Sequence, residues 1–265
     1  MYSPFKLAIK YLSYYFTASN GKGHGIHSPF VYDFIEKVLN DKKQYNSYEL
    51  IEWQRQQLLQ NNTVIEVEDF GAGSSVIKTN KRVVSKIAAS SLKPKKYAQL
   101  LFRMVRHYQP KTIVELGTSF GITTSYLAHG KSLAKVCTCE GAKNIAAIAQ
   151  QTFNNLQLKN VQLVQGDFAV TLPQLLQQLK AIDFAFVDGN HRHKPTVDYF
   201  NQLLLHSHQQ TIFVFDDIHW SAEMEMAWQE IQQHEKVTLT IDLFFIGIVC
   251  INTGVKAKQH FTIRF

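Results

Sequence analysis

The sequence predicts an α/β fold, with a doubly wound, mostly parallel sheet behind a helical N-terminal extension. Three observations predict it. From Lys111 onward, β-rich apolar runs alternate with stretches of helical periodicity, the spacing of βαβ units. One of these runs, Ile182–Val187, is continuously apolar apart from Asp183, as a strand covered on both faces must be. An acidic residue or a glycine also follows each of five strand ends. That is the carboxyl edge, where doubly wound sheets bind ligands.

The 265 residues suit one such domain at 91–265 preceded by a helical extension or lid at 1–90. At the start, MYSPFKLAIKYLSYYF has the pattern of an amphipathic helix. Lys6 and Lys10 interrupt its apolar run and no small-residue cleavage site follows, which argues against a signal peptide. Packing of its aromatic face on the body or on a second subunit, in a homodimer, is favoured over membrane contact. The glycine loop from Gly21 to Pro29 carries His24 and His27, read as ordinary loop histidines ahead of a lid role. Ser28 and Pro29 open a helix over Phe30 to Leu39. An apolar stretch then enters Asp69-Phe-Gly71-Ala-Gly73, which reads as a turn. Lys81 to Tyr108 is helical in spacing, with a break at Pro94.

The body follows in order. Strands are expected at Thr112–Leu116, Lys135–Glu140, Val161–Gln165, Ile182–Val187 and Thr211–Phe215, and two closing strands flank Gly247. Seven strands result, the final one antiparallel. Helices fill the intervals at about Ile122–Ala128, Asn144–Leu156, Thr171–Leu179, Thr196–His206 and Ala222–His234.

Composition narrows the function. A hydrophobic fraction of 45% fills a core, and no run of about 18 apolar residues spans a membrane. Cys137, Cys139 and Cys250 form no disulfide framework or finger-like metal set, so a reducing, cytoplasmic setting is expected. The net charge of +7 would admit a polyanion. Its lysines are dispersed, with only short clusters such as Lys93, Lys95 and Lys96, so a nucleic-acid partner is not expected.

Chemistry concentrates after the first body strand. Glu115, Gly117, Thr118, Ser119 and Gly121 form an acid-x-Gly-x-x-x-Gly loop. Gly117 turns the chain and lets a ligand approach bare backbone, and Gly121 admits close passage of the following helix. Glu140, with Gly141, closes the next strand nineteen residues later. Its two acceptor oxygens match the two hydroxyls of a ribose. Asp167, followed by Phe168, closes the third strand and can accept from an adenine amino group. This constellation resembles the class I S-adenosylmethionine-dependent methyltransferases over roughly residues 95–252. The resemblance implies a Rossmann-like domain, places S-adenosylmethionine on these residues and on Asp188, and assigns Glu115 to the methionine end. A GxxxG spacing, rather than GxGxxG, leaves fewer amides for a pyrophosphate and argues against a dinucleotide oxidoreductase.

The fourth strand ends in Asp188, with His191 three residues on, and the fifth ends in Asp216, Asp217, His219 and Trp220. Carboxylates converging on one edge repel unless a cation neutralises them, and oxygen ligands suit Mg²⁺. The arrangement resembles metal-dependent small-molecule O-methyltransferases of an uncharacterised bacterial group. It implies a metal on Asp188, Asp216 and Asp217, with catalysis by Asp188 and His191. A histidine is about three-quarters neutral at pH 7 and able to take a hydroxyl proton. His193 and His219 are the runners-up. The expected function is O-methylation of a small molecule, with S-adenosylmethionine and optional Mg²⁺. The alternatives are a nucleic-acid or protein methyltransferase, whose Asn/Asp-Pro-Pro-aromatic signature is replaced here by Asp188-Gly-Asn-His191, or a non-catalytic cofactor-binding module.

Overall fold

The computed structural model describes residues 1–23, 25–67, 80–251 and 257–265. His24 and the Asp69–Gly73 turn therefore lie outside the described residues. The elements begin with α1 (Pro4–Thr17), α2 (Pro29–Phe34) running into a π-helical turn (Ile35–Leu39), and α3 (Asn46–Gln60). Next come β1 (Val64–Glu66), β2 (Lys81–Val83), α4 (Val84–Ser91) and α5 (Lys95–Tyr108). The alternating part runs β3 (Thr112–Leu116), α6 (Ile122–Gly130), β4 (Lys135–Glu140), α7 (Lys143–Asn155), β5 (Val161–Gln165) and α8 (Phe168–Gln177). It continues with β6 (Ile182–Val187), α9 (His193–Leu205), β7 (Ser207–Asp216) and α10 (Ala222–Gln233). The chain closes on β8 (Leu239–Asp242), β9 (Ile246–Cys250) and β10 (Gln259–Thr262).

These elements form two compact units. One comprises Lys42–Lys180, and the other joins Met1–Asp41 to Ala181–Phe265. The N-terminal extension is thus divided between them, because its helices find different partners. Within Lys42–Lys180, α3 is tied to α6 where the Tyr126 hydroxyl donates to Glu52 at 2.8 Å. Tyr48 of α3 packs on Phe102 and Tyr126 with ring centroids 5.0 and 5.6 Å apart. Here β3, β4 and β5 are parallel neighbours in that order. Residues 81–83, expected as helix, instead form β2 antiparallel to β1, with Ile65 opposite Arg82.

In the other unit the strand order is β10-β8-β9-β7-β6. Strands β6 and β7 are parallel, whereas β9 runs antiparallel to both β7 and β8. Gly247 lies inside β9 rather than between two strands. A Cβ there would come within 2.6 Å of the Trp228 ring of α10, so glycine is what lets helix and strand approach. The final strand, β10, pairs parallel with β8 and makes eight strands in the body among the described residues, where seven are expected. Its four residues alternate between exposed and half-buried, too short and polar a pattern to be read as a strand without its partner. Ser3 caps α1, accepting from the Lys6 amide at 3.3 Å, and Pro4 opens the helix. The buried Tyr14 of α1 packs 5.3 Å from Phe244, and its hydroxyl donates to the Ile263 carbonyl. Among the described residues no helix is long and apolar enough to cross a membrane.

Candidate active site

The unit Lys42–Lys180 holds the expected cofactor loop. β3 delivers Glu115 to the interior, where it is fully buried. Its Oε2 accepts hydrogen bonds from the Thr124 and Thr138 hydroxyls at 2.5 and 2.6 Å. Thr124 lies on α6 and Thr138 on β4, so this carboxylate fastens helix and strand beneath the loop. Gly117 turns with φ +98° and the Gly117 and Thr118 amides both donate to the Cys139 carbonyl. The Thr118 hydroxyl shares a 2.6 Å hydrogen bond with that of Thr138. Ser119 adopts φ +49°, a left-handed conformation, and its amide donates to Glu140 Oε2 at 2.9 Å. Ser119 Oγ also lies 3.0 Å from Ser91 Oγ.

Gly121 caps α6 at φ +80°, and a Cβ there would meet the Phe153 ring of α7 at 2.5 Å. The close approach is therefore to the neighbouring helix. Glu140 receives a second amide, from Ala142 to Oε1 at 3.0 Å. Burial raises its pKa, although the amides of Ala142, Ser119 and Gly141 oppose the rise. A carboxylate offers about four acceptor positions, so Glu140 retains acceptor capacity beyond these amides. Asp167 instead caps α8, accepting from the Ala169 amide at 2.9 Å. It is exposed beside half-buried Phe168. Cys137 and Cys139 are buried, with no disulfide, as small strand residues. Burial pushes the Cys139 thiol up to about 12, so it is no nucleophile at neutral pH.

The other unit holds the acidic group. Asp188 follows β6 and the buried Asp216 ends β7. Parallel pairing aligns Val187 with Phe215 and so brings these two strand ends side by side. Asp188, His191 and Asp216 each present one ligand atom within 4.8 Å of the others. His191 Nε2 lies 3.5 Å from Asp188 Oδ1, and its ring tilts against Trp220 at 5.5 Å.

Asp217 is outside this group among the described residues. It takes φ +53° and donates its amide to the Phe245 carbonyl. Consecutive side chains leave a strand end in opposite directions, so Asp216 and Asp217 do not share one face. Both runner-up histidines are engaged elsewhere. His193 Nε2 lies 2.6 Å from Glu230. His219 is held by carboxylates on both ring nitrogens, Asp242 at 2.7 Å and Glu225 at 3.1 Å. Burial lowers its pKa, but Asp242 and Glu225 outweigh burial and the net shift is upward. Glu225 also binds Lys10 and Tyr2 of the N-terminal segment. Sequence reading did not anticipate this clamp, because its members are 2, 10, 219, 225 and 242 in the chain.

Residues 114–218 match the family model described as a methyltransferase domain. That stretch contains Glu115, Gly121, Glu140, Asp167, Asp188, His191 and Asp216. No curated protein matches the sequence. Solved structures do. A Podospora anserina methyltransferase with S-adenosylhomocysteine bound is 13% identical, with a TM-score of 0.60 over 95% of this chain and 98% of its own. A Bacillus cereus O-methyltransferase, likewise in complex with S-adenosylhomocysteine, is 18% identical, with a TM-score of 0.56 over 80% and 93%. An O-methyltransferase of tomaymycin synthesis from Streptomyces achromogenes, in complex with S-adenosylmethionine, is 15% identical with a TM-score of 0.55 over 84% and 95%. At these identities the likeness is one of fold, and that fold is the Rossmann-like α/β architecture of methyltransferases.

Proposed function

We propose that the chain is an S-adenosylmethionine-dependent O-methyltransferase acting on a small molecule. The observation that carries this reading is Glu140. It ends β4 and holds the loop amide of Ser119 on one oxygen and the amide of Ala142 on the other, with acceptor capacity left for a ribose diol. The solved structures of this fold named above include complexes with S-adenosylmethionine and S-adenosylhomocysteine, which supports the same ligand here. When bound, that cofactor supplies an electrophilic methyl group on sulfur.

His191 takes the acceptor's hydroxyl proton on a ring nitrogen, and Asp188 steadies the imidazolium that forms. Asp188 and Asp216 fit a divalent cation, since two carboxylates this close repel unless neutralised. The ligand atoms of Asp188, His191 and Asp216 all lie within 4.8 Å of one another, close enough that these residues would hold one small hard cation. Mg²⁺ commonly uses only one or two carboxylates and keeps waters or substrate oxygens on its remaining positions. When bound, it would lower the hydroxyl's pKa and orient its oxygen.

Titration calorimetry with S-adenosylhomocysteine, with Mg²⁺ and with EDTA, tests the reading. Micromolar binding that disappears in Glu140→Ala is expected. Heat from NAD but none from S-adenosylhomocysteine makes the chain an oxidoreductase instead. Mn²⁺ titration of His191→Gln separates base from ligand. Affinity unchanged within about threefold assigns the base, and a loss of more than about tenfold assigns a third ligand.

A further inference from the structure

We propose that the outward face of α1 docks on an anionic lipid bilayer. The helix is apolar on two sides. Its inner side, with Leu7, Tyr11 and Tyr14, packs on Phe244 and Phe245. The opposite side carries Phe5 at 77% exposure, Ile9 at 51%, Leu12 at 54% and Phe16 at 76%. Steps of four, three and four residues place these on one stripe along the helix. An apolar patch of this kind, left facing water, marks a binding surface.

Charge selects the occupant. Residues 1–32 contain Lys6, Lys10 and Lys22 and no acid, and residues 257–265 contain Lys258 and Arg264 and no acid. Lys10 is held by Glu225 and the Lys258 ammonium by the Gln233 and His234 carbonyls, so Lys6, Lys22 and Arg264 supply the positive charge. The fold brings the two segments together. Ser19 bridges Ile263, and the Arg264 amide donates to the Ser19 carbonyl at 2.9 Å. The Arg264 guanidinium then lies 4.3 Å over the Tyr15 ring, beside Phe16. At the other end of the stripe, the Lys6 ammonium lies 4.1 Å over the Tyr2 ring, beside Phe5. A cation on an aromatic ring therefore borders each end.

That combination matches the headgroup layer of an anionic membrane, which takes apolar side chains at the acyl boundary and cations at the phosphates. A second copy fits less well, because it would set two acid-free helices against each other. The stripe also covers only two heptads, short of the three or four of a coiled-coil seam. Nucleic acid would leave the phenylalanines in water. Lys10 and Tyr2, both bonded to Glu225, hold the helix in its orientation.

Flotation of the full chain with vesicles tests the proposal, using phosphatidylcholine alone or with about one-third phosphatidylglycerol. The protein is expected to float with the anionic vesicles and to bind the neutral ones about tenfold more weakly or worse. Phe5→Glu with Phe16→Glu, both at exposed positions, abolishes flotation at an unchanged melting temperature. Ile9→Ser with Leu12→Ser gives the same result through a milder change. Lys6→Glu weakens binding about tenfold. No flotation by the wild type, or undiminished flotation by both pairs of substitutions, overturns the proposal. So does a wild-type dimer that ignores vesicles and that Phe5→Glu with Phe16→Glu converts to monomer, which would assign the stripe to a second copy. None of these readouts depends on S-adenosylhomocysteine, whose binding heat stays unchanged.

Discussion

The two units place carboxylates at strand ends for opposite purposes. In Lys42–Lys180, Glu115 accepts from threonine hydroxyls and Glu140 from backbone amides of their own surroundings. Their charge is spread into hydrogen bonds that hold a glycine loop in shape. In the other unit, Asp188 and Asp216 converge with His191 so that their atoms face one another. The first arrangement fixes the backbone of a loop, while the second brings two carboxylates and an imidazole together. Carboxylates at or beside the ends of successive strands thus acquire different surroundings from the groups around them.

The largest effect expected is on the second group. Asp188→Asn and Asp216→Asn should each lower Mn²⁺ affinity by more than about 100-fold, beyond the range of outer-shell changes, as followed by electron paramagnetic resonance. Asp217→Asn should leave that affinity within about threefold, because Asp217 faces elsewhere. Equal losses from all three would erase the distinction between Asp216 and Asp217. Next in size is Gly121→Val, which adds a side chain 2.5 Å from Phe153 at a left-handed φ. Overpacking and backbone strain together should cost about 2–5 kcal/mol in denaturant unfolding.

Thr124→Val and Thr138→Val each remove one hydroxyl donor from buried Glu115, at about 1–3 kcal/mol. The double substitution should be non-additive, since both act through one carboxylate. A strictly additive result would mean Glu115 is not the hub of that contact.

The clamp that holds α1 should respond to pH. Burial raises the Glu225 pKa, yet its bonds to Lys10, Tyr2 and His219 outweigh burial and lower it. Its contribution is therefore present above the ordinary carboxyl value of about 4.3 and is lost as pH falls through the depressed folded value. Glu225→Gln should be less stable at neutral pH and should show a flatter stability curve as pH falls below the ordinary carboxyl value of about 4.3. Identical curves for the two proteins would remove Glu225 from the clamp. The smallest effect belongs to Asp167. Alanine there should cost about 1 kcal/mol through the lost cap, whereas asparagine keeps the cap. If Asp167→Asn still weakens S-adenosylhomocysteine, as calorimetry would report, the carboxylate contacts the ligand as well as the helix.

Much of this was legible in the chain. The strands β3 to β6 lie where periodicity placed them. β3, β4 and β6 are short, largely apolar runs buried on both faces, whereas β5 is a half-exposed edge strand marked by its β-branched residues and the Gly166 that follows it. The loop from Glu115 to Gly121 was legible because its glycines are demanded by local turning. What was not legible depends on distant partners. β2 was read as helix because only β1 across the intervening residues makes 81–83 extended. β10 needed β8 for its pairing, and the edge it joins has no local signature.

Sequence alone therefore determined the class of fold, the glycine loop after β3 and the set of acids at the carboxyl edge, because each follows from residue type at short spacing. Only the tertiary structure decided which acids share a face. It chose Asp216 over Asp217 by the direction of one strand end, and it withdrew His193 and His219 by giving them Glu230 and Asp242 as partners. It also turned an amphipathic N-terminal helix so that its stripe of phenylalanine, isoleucine and leucine faces water. Periodicity reports that a helix has an apolar face, but the occupant of that face depends on packing between segments far apart in the chain.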